Sequence, residues 1–273
     1  MTHLTSEMSH WINEREAVRM RRAQGLPAPW TTDPVIATVR FCNVHREDDK
    51  VTRHIRNSGV FSSADIPVWR VVLARMVNRI STLEAIKGFV ERDDLLSVKA
   101  ALKNMRAKGP IWGNAYTIST CGKTMDKVDY VIDHVVQTVK DVERDFPFKF
   151  NKLSTTFLQL TDIDGLGSFL AGQVIADLKN TPCHALNLAP DWHTWSSHGP
   201  GSLRGLTRYF GNSITPAHYQ EAIAICYAEV IPLVMPYVGR IHMQDFQNCL
   251  CEFDKWCRAT HNTGKVRNKY EAK

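Results

Sequence analysis

Apolar residues along this chain recur at helical spacing, and almost nowhere do they alternate as a half-buried strand requires. The run from 126 to 144 makes the point against its own composition. Valine is a strand former, yet Val128, Val131, Ile132, Val135, Val136 and Val139 fall three and four residues apart, on one stripe of a long helix. The same spacing predicts helices over about 5–24, 34–43, 66–80, 82–90, 94–107, 153–160, 168–179, 201–210, 216–233 and 243–259. Punctuation fits several ends: Thr32-Asp33-Pro34 and Thr215-Pro216 before helices, Gly109-Pro110 after one. The expectation is an all-α fold. Hydrophobic residues make up 44% of 273, enough for a real core. The chain reads as one helical unit over 1–260, of two lobes sharing the chain ends. A basic tail, 261–273, follows, either disordered or laid on a partner.

Net charge is +6, which permits a polyanionic partner without demanding one. The seven cysteines are odd in number and scattered, and the start of the chain is polar and charged, so reduced thiols in a cytoplasmic setting are expected. No apolar run approaches the roughly 20 residues of a membrane helix, and no membrane association is expected. Cys249, Cys251 and Cys257 cluster, but their spacing fits neither a zinc ribbon nor an iron–sulfur loop. Two residues apart on a helix, Cys249 and Cys251 point away from each other, so buried thiols are expected and neither a metal nor a cofactor is.

The most informative stretch is Leu160 to Lys179, LTDIDGLGSFLAGQVIADLK. It reads as a short helix, a tight turn over Ile163-Asp164-Gly165-Leu166-Gly167, and a second helix from Ser168. The glycines let the backbone turn and approach closely, and Leu166 plugs the gap between helices. The amides of Gly165, Gly167 and Ser168 then point outward at a helix N-terminus, an anion site suited to a DNA phosphate. A plain helical corner is the alternative. Asp191 follows Gly165 by 26 residues. Together these features resemble the core of the helix-hairpin-helix DNA glycosylases, over roughly 150–212. In that superfamily an essential aspartate stands at about this separation, at the start of a helix pointing into the base pocket. The lysine nucleophile of bifunctional members is missing, since Ser168-Phe169-Leu170-Ala171 offers no amine, so Schiff-base lyase chemistry is not expected.

Three further stretches narrow the resemblance: Pro29 to Ile55, Gly199 to Leu206 (GPGSLRGL) and Asp245 to Arg258 (DFQNCLCEFDKWCR). Together they resemble the α-glutamyl/putrescinyl thymine pyrophosphorylases, or amino acid:DNA transferases, whose helical module also occurs beside phage kinases of 5-hydroxymethyluracil in DNA. The resemblance implies a phage-type enzyme of DNA hypermodification, working in the infected host's cytoplasm, with 1–260 as a single catalytic unit of two lobes around a base-binding cleft. Its partners would be double-stranded DNA with modified thymine-type bases, a small amine donor (an amino acid or polyamine), and functionally a 5-hydroxymethyluracil DNA kinase. It would expel phosphate or pyrophosphate from the activated hydroxymethyl group and attach the amine. A monofunctional glycosylase and a non-catalytic DNA-binding partner of the kinase are the competing readings.

Such chemistry needs an extruded base, cations for the leaving phosphate, a carboxylate and aromatic surfaces. Asp191 is the first candidate for base or electrostatic stabiliser, with capping of the following helix as its structural alternative. His193 is a candidate for proton transfer, and Trp192 and Trp195 for stacking or plain packing. Arg40, embedded in the apolar VIATVRF on the helix expected over 34–43, is the preferred phosphate ligand. Asn43, Arg46 and Arg53 come from the same stretch, and on one helix Arg46 and Arg53 would share a face, as they would in a solvated, salt-bridged surface. Gly199, Gly201, Ser202 and Arg204 resemble a phosphate-cradling turn or an ordinary loop-to-helix turn. Asn248, Glu252 and Lys255 are carried over from the family pattern, and their spacing puts them on one helix face. Two motifs lead nowhere. Cys121-Gly122-Lys123-Thr124 lacks the first glycine of a phosphate loop, with Thr117 in its place, and no G-x-S-x-G elbow is present.

Overall fold

A computed structural model describes residues 3–115 and 118–264; most of the basic tail lies outside the described residues. Among these residues no β-strand forms, and the all-α expectation holds. In chain order the helices are α1 (His3–Ala23), α2 (Pro34–Thr38), α3 (Lys50–Asn57), α4 (Val68–Val77), α5 (Ile80–Glu91) and α6 (Leu95–Arg106). There follow α7 (Lys127–Asp129), continued by a π-helical stretch Tyr130–Val136 and α8 (Gln137–Asp145), then α9 (Leu153–Thr161) and α10 (Ser168–Asn180). The last are α11 (Pro200–Phe210), α12 (Tyr219–Val230) and α13 (Met243–Thr260).

The chain divides into two compact units, one of residues 1–49 and 193–273, the other of 50–192. The first packs α1, α11, α12 and α13 around Trp11, Ile12, Tyr219, Ile223, Phe246 and Phe253, all fully buried. Burying each such side chain contributes roughly 1.5–3 kcal/mol. Small residues let α11 and α13 approach closely: a Cβ on Gly201 would fall 2.1 Å from Cys251 Sγ, and one on Gly205 2.4 Å from the Leu250 carbonyl. α2 is capped by Asp33, which accepts from the Val35 and Ile36 amides at 2.8 Å and also receives Trp256 Nε1 from α13 at 3.1 Å.

The second unit packs α4 against α8 and α10, with α9 folded back on α10. Its valine stripe is buried as the spacing requires: Val128, Val131, Val135, Val136 and Val139 have no exposed surface. The sequence pattern did not reveal that the helix widens, the Gln137 amide reaching the Ile132 carbonyl five residues back. Deep in this unit the Arg75 guanidinium forms an ion pair with Asp177, both nearly inaccessible, and Arg75 also donates to Thr52 Oγ1 at 3.1 Å. A buried pair of this kind holds only because its remaining polar atoms are also bonded. Arg56 extends the network: it lies 3.9 Å from Asp177 Oδ1 and donates to the Asp177 carbonyl at 2.8 Å and to Thr181 Oγ1 at 2.6 Å.

Three boundaries differ from the sequence expectation. The helix expected over 34–43 ends at Thr38, so Arg40 lies beyond it in extended chain and is exposed. Arg46 and Arg53 share no helix, because Arg46 belongs to a one-turn 3-10 helix (Arg46–Asp48) and α3 starts only at Lys50. The stretch 216–233 is a 3-10 turn, then α12, then a second 3-10 turn at Ile231–Leu233 where Pro232 removes a donor.

Candidate functional site

Polar side chains that recur in the sequence argument gather in two places, one in each unit. In the first unit they surround the segment 40–49. Apart from the single 3-10 turn at Arg46–Asp48, its backbone has no regular structure to satisfy its amides and carbonyls, so side chains must do so. Asn248, Glu252 and Lys255 do share a face of α13, and that face grips the segment. Asn248 Nδ2 donates to the Asn43 carbonyl at 3.2 Å, Glu252 Oε2 accepts from the Cys42 amide at 3.1 Å, and Lys255 Nζ donates to the Arg40 carbonyl. Lys255 also bonds Glu252 at 3.1 Å and lies 4.8 Å above the Phe41 ring.

From the other side Arg15 of α1, itself buried, donates to the Cys42 carbonyl at 3.0 Å, the Phe41 carbonyl at 3.3 Å and Asn43 Oδ1 at 2.6 Å. Asn43 completes the knot through Nδ2, which donates to the Asp48 carbonyl and to Asp49 Oδ1, both at 3.0 Å. Burial raises the Asp49 carboxyl above its ordinary range against the pull of the Asn43 amide and Arg46. Arg46 is buried, and its amide donates to Asp245 Oδ1 at 3.0 Å.

Asp245 is the centre of a histidine group. His45 Nδ1 stands 3.7 Å from its Oδ2, while His45 Nε2 meets the Val238 carbonyl at 2.6 Å. The facing Asp245 carboxylate is the main reason that His45 is pushed up to about 9, overcoming its burial. Burial alone would raise Asp245, but His45, the Arg46 amide and His242 hold it below the usual carboxylate range. His193 joins through His242, their Nδ1 atoms 3.3 Å apart. Trp195 is buried in the same unit.

The glycine-rich turn is also here, and it is not an open cradle. Ser202 Oγ accepts from the Gly199 amide at 3.1 Å, Ser202 is fully buried, and Gly201 is pressed against Cys251. Arg204 is half exposed and bonds the buried Asp254 at 3.2 Å, which also receives Arg208 at 3.3 Å and Arg258 at 3.1 Å. Cys249, Cys251 and Cys257 line the packed side of α13, where burial pushes all three thiols up, Cys251 to about 11.

In the second unit, the hairpin joins α9 to α10 through a turn in which the Leu166 amide returns to the Ile163 carbonyl at 3.0 Å. Gly165 has φ +94°, and a Cβ there would lie 2.6 Å from Val135 Cγ2 and 2.8 Å from the Tyr130 hydroxyl. Only glycine meets both demands. Gly167 is exposed with open space around it, and Leu166 is fully buried. Among the described residues no backbone carbonyl accepts from the amides of Gly165, Gly167 or Ser168.

Asp191 does not cap a following helix, since turns and extended chain separate it from α11. It caps the first helix of the hairpin instead: Oδ1 accepts from the Leu153 amide at 2.8 Å and Oδ2 from the Ser154 amide at 3.0 Å. Lys152, the residue preceding α9, supplies no cap of its own. Trp192 is held by Lys179, a lysine with almost no exposed surface. Its Nζ lies 4.0 Å from the Trp192 ring centroid and donates to the Trp192 carbonyl at 2.8 Å, and Trp192 Nε1 donates back to the Lys179 carbonyl at 2.9 Å. Arg53 is exposed on α3.

Sequence reasoning missed Arg15, His45, Lys179 and Asp245. Arg15 and Lys179 sit in stretches rich in charge or at a helix end, where solvated side chains are the ordinary outcome. Asp245 and His45 lay inside quoted stretches but carried no spacing signal, because their contact joins positions 200 residues apart.

The three stretches singled out beyond the hairpin thus converge, for 29–49, 199–206 and 245–258, within one unit. The sequence profile of the helical domain of 5-hmdU DNA kinase matches residues 2–266. The chain belongs to that family. Among its members, the 5-hmdU DNA kinase of Bacillus phage SP10 is 27% identical over 234 residues, which is 74% of this chain and 36% of the kinase. This family member therefore spans well under half the length of the curated relative it matches. No solved structure matches it.

Proposed function

We propose that this chain engages duplex DNA carrying 5-hydroxymethyluracil-type bases and, as a transferase of DNA hypermodification, attaches an amine to the activated base. The family match supports the part of this reading that concerns the modified base, because it runs through both units and the matched kinase is named for that base; the amine transfer rests on the resemblance of the three sequence stretches. In the reaction a C–N bond forms at the exocyclic carbon and its C–O bond breaks. The pyrophosphate or phosphate leaves with the electron pair, and a base takes the proton of the attacking ammonium.

The helix pair α9–α10 would act as a helix-hairpin-helix clamp on the DNA backbone, through the outward amides of Gly165, Gly167 and Ser168. Asp191, fixed in orientation by two amides, suits electrostatic stabilisation of the electron-poor exocyclic carbon. Trp192, stiffened by Lys179, offers a stacking face. In the other unit Arg204, half exposed over Asp254, and the exposed Arg40 are the cations proposed for phosphate, and His193 the proton carrier. Asn43, Arg46, Asn248, Glu252 and Lys255 would then be positioning residues that hold the segment bearing Arg40.

A second reading is favoured by one observation, that the matching profile is the helical domain of a kinase of this base. On that reading the helical unit recognises the modified DNA and serves a 5-hydroxymethyluracil DNA kinase without transferring an amine.

Nucleosides digested from 5-hydroxymethyluracil DNA, after incubation with a phage-type kinase, ATP, this protein and a pool of amino acids and polyamines, separate the readings by mass. A nucleoside heavier by an attached amine, absent without this protein, is expected. Free base with abasic sites would make it a glycosylase. Activated but otherwise unchanged DNA, together with measurable binding, would favour the recognition reading.

A further inference from the structure

The most exposed large apolar side chain among the described residues is Leu188, with 87% of its surface accessible. It ends a one-turn 3-10 helix, Ala185–Leu188, that is firmly built. His184 Nδ1 accepts from the Leu186 amide at 3.1 Å, Asn187 Nδ2 donates to the Lys179 carbonyl at 2.8 Å, and the Ala189 amide returns to the Leu186 carbonyl at 3.2 Å. Leu186 is fully buried beneath. The knuckle therefore points one leucine inward as an anchor and the next one outward into water.

A lone exposed leucine means little, but its surroundings are specific. The ring of Phe150 meets His184 at 4.8 Å, and Asp191, three residues beyond Leu188, holds the amides of Leu153 and Ser154. The intervening chain is strapped to α9, the Lys149 amide donating to Gln159 at 2.8 Å and Thr156 Oγ1 to the Lys149 carbonyl at 2.7 Å. Segments 146–156 and 178–190, brought side by side in this way, contain no acidic residue; the nearest exposed acids are Asp145, paired with Arg144 at 2.8 Å, and Asp65, whose charge acts on His184. The exposed residues of the two segments include Phe146, Lys149 and Lys152. Asp191 borders them, with both oxygens turned to backbone amides.

An apolar prong on a knuckle packed against a segment with two exposed lysines matches a polyanion with an apolar interior, which is what a base stack between phosphate strands offers. We infer that Leu188 is a wedge that enters the base stack of duplex DNA as the target base turns out, with Lys149 and Lys152 on the flanking phosphates. The inference rests on the proposed action on DNA bases. Turning a base out leaves a gap, and a rigid apolar side chain filling it offsets unstacking of a few kcal/mol.

The test uses the full chain and a duplex with 2-aminopurine beside a 5-hydroxymethyluracil. Wild-type protein is expected to raise the fluorescence as neighbours unstack. Leu188→Ala should lose most of that rise while keeping the wild-type melting temperature and a duplex affinity within several-fold; Leu188→Phe should retain the rise. Leu96→Ala, at a leucine of similar exposure elsewhere in the unit, serves as the control and should behave as wild type. A Leu188→Ala rise equal to wild type overturns the wedge but leaves action on DNA standing. Wild-type protein that binds no duplex overturns both. If Leu188→Ala keeps the full rise but no longer co-elutes with a 5-hydroxymethyluracil DNA kinase, the knuckle docks protein, and the wedge is again overturned.

Discussion

Single residues here are constrained in ways that can be measured against their neighbours. Gly165 and Gly167 are two positions apart yet respond to different physics. Gly165→Ala meets both a left-handed backbone and a contact to Val135 and Tyr130, and should cost about 1–3 kcal/mol. Gly167→Ala meets open space at φ −62° and should cost under about 1 kcal/mol, the penalty of alanine at an N-cap. Thermal melts of the two variants check this, and equal melting temperatures would refute it. Asp191→Asn turns one acceptor into a donor facing the Ser154 amide, so about 1 kcal/mol of stability should go with the cap. On the proposed chemistry product formation disappears as well. A variant that melts lower but still makes product would leave Asp191 a purely structural cap.

At the scale of elements, two helices and a loop hold each other in place. Residues 40–49 follow a helix that stops at Thr38, and α1 and α13 supply the hydrogen bonds their backbone cannot make internally. Glu252→Ala leaves the Cys42 amide and Lys255 without that acceptor, and should cost roughly 1–3 kcal/mol. Hydrogen exchange should report it as faster exchange at Cys42 and Asn43, and unchanged protection there would count against the clamp. The His45–Asp245 contact ties the same loop to α13 and makes its stability depend on pH. The folded pKa of His45 lies near 9 against an ordinary 6.5. This contribution is therefore complete below pH 6.5 and is lost as pH rises through 9. Asp245, held low, acts in the opposite direction, its contribution vanishing only as acid protonates it. Wild-type protein should thus lose stability between pH 6.5 and 9, and His45→Gln should flatten that slope. A parallel decline in both would show that other groups set it.

At the scale of the whole molecule, the unit of residues 50–192 keeps its ion pair in the core. Arg75→Met removes the main partner of Asp177 and leaves it only Arg56, 3.9 Å away, and should cost about 3–5 kcal/mol. The double change that also makes Asp177 apolar should recover much of that loss in denaturant melts. DNA affinity, if phosphates dominate, should fall linearly on a log scale with salt; an affinity indifferent to salt would place binding elsewhere than in the basic side chains and amides. Much of this architecture was legible from spacing alone. The valine stripe, the turn at Gly165-Leu166-Gly167 and the Asn248/Glu252/Lys255 face are local patterns, because a helix puts residues three and four apart on one side whatever surrounds it. What those faces touch was not legible. That α2 stops short of Arg40, that Asp191 caps α9 and not its own successor, and that Gly201 is pressed against Cys251 depend on contacts between residues 35 to 50 or more positions apart. Local periodicity carries no information about such contacts. Local spacing was enough for an all-helical chain and the faces of its helices; which polar groups became buried partners was decided only when tertiary packing removed water and left them protein groups to bond in its place.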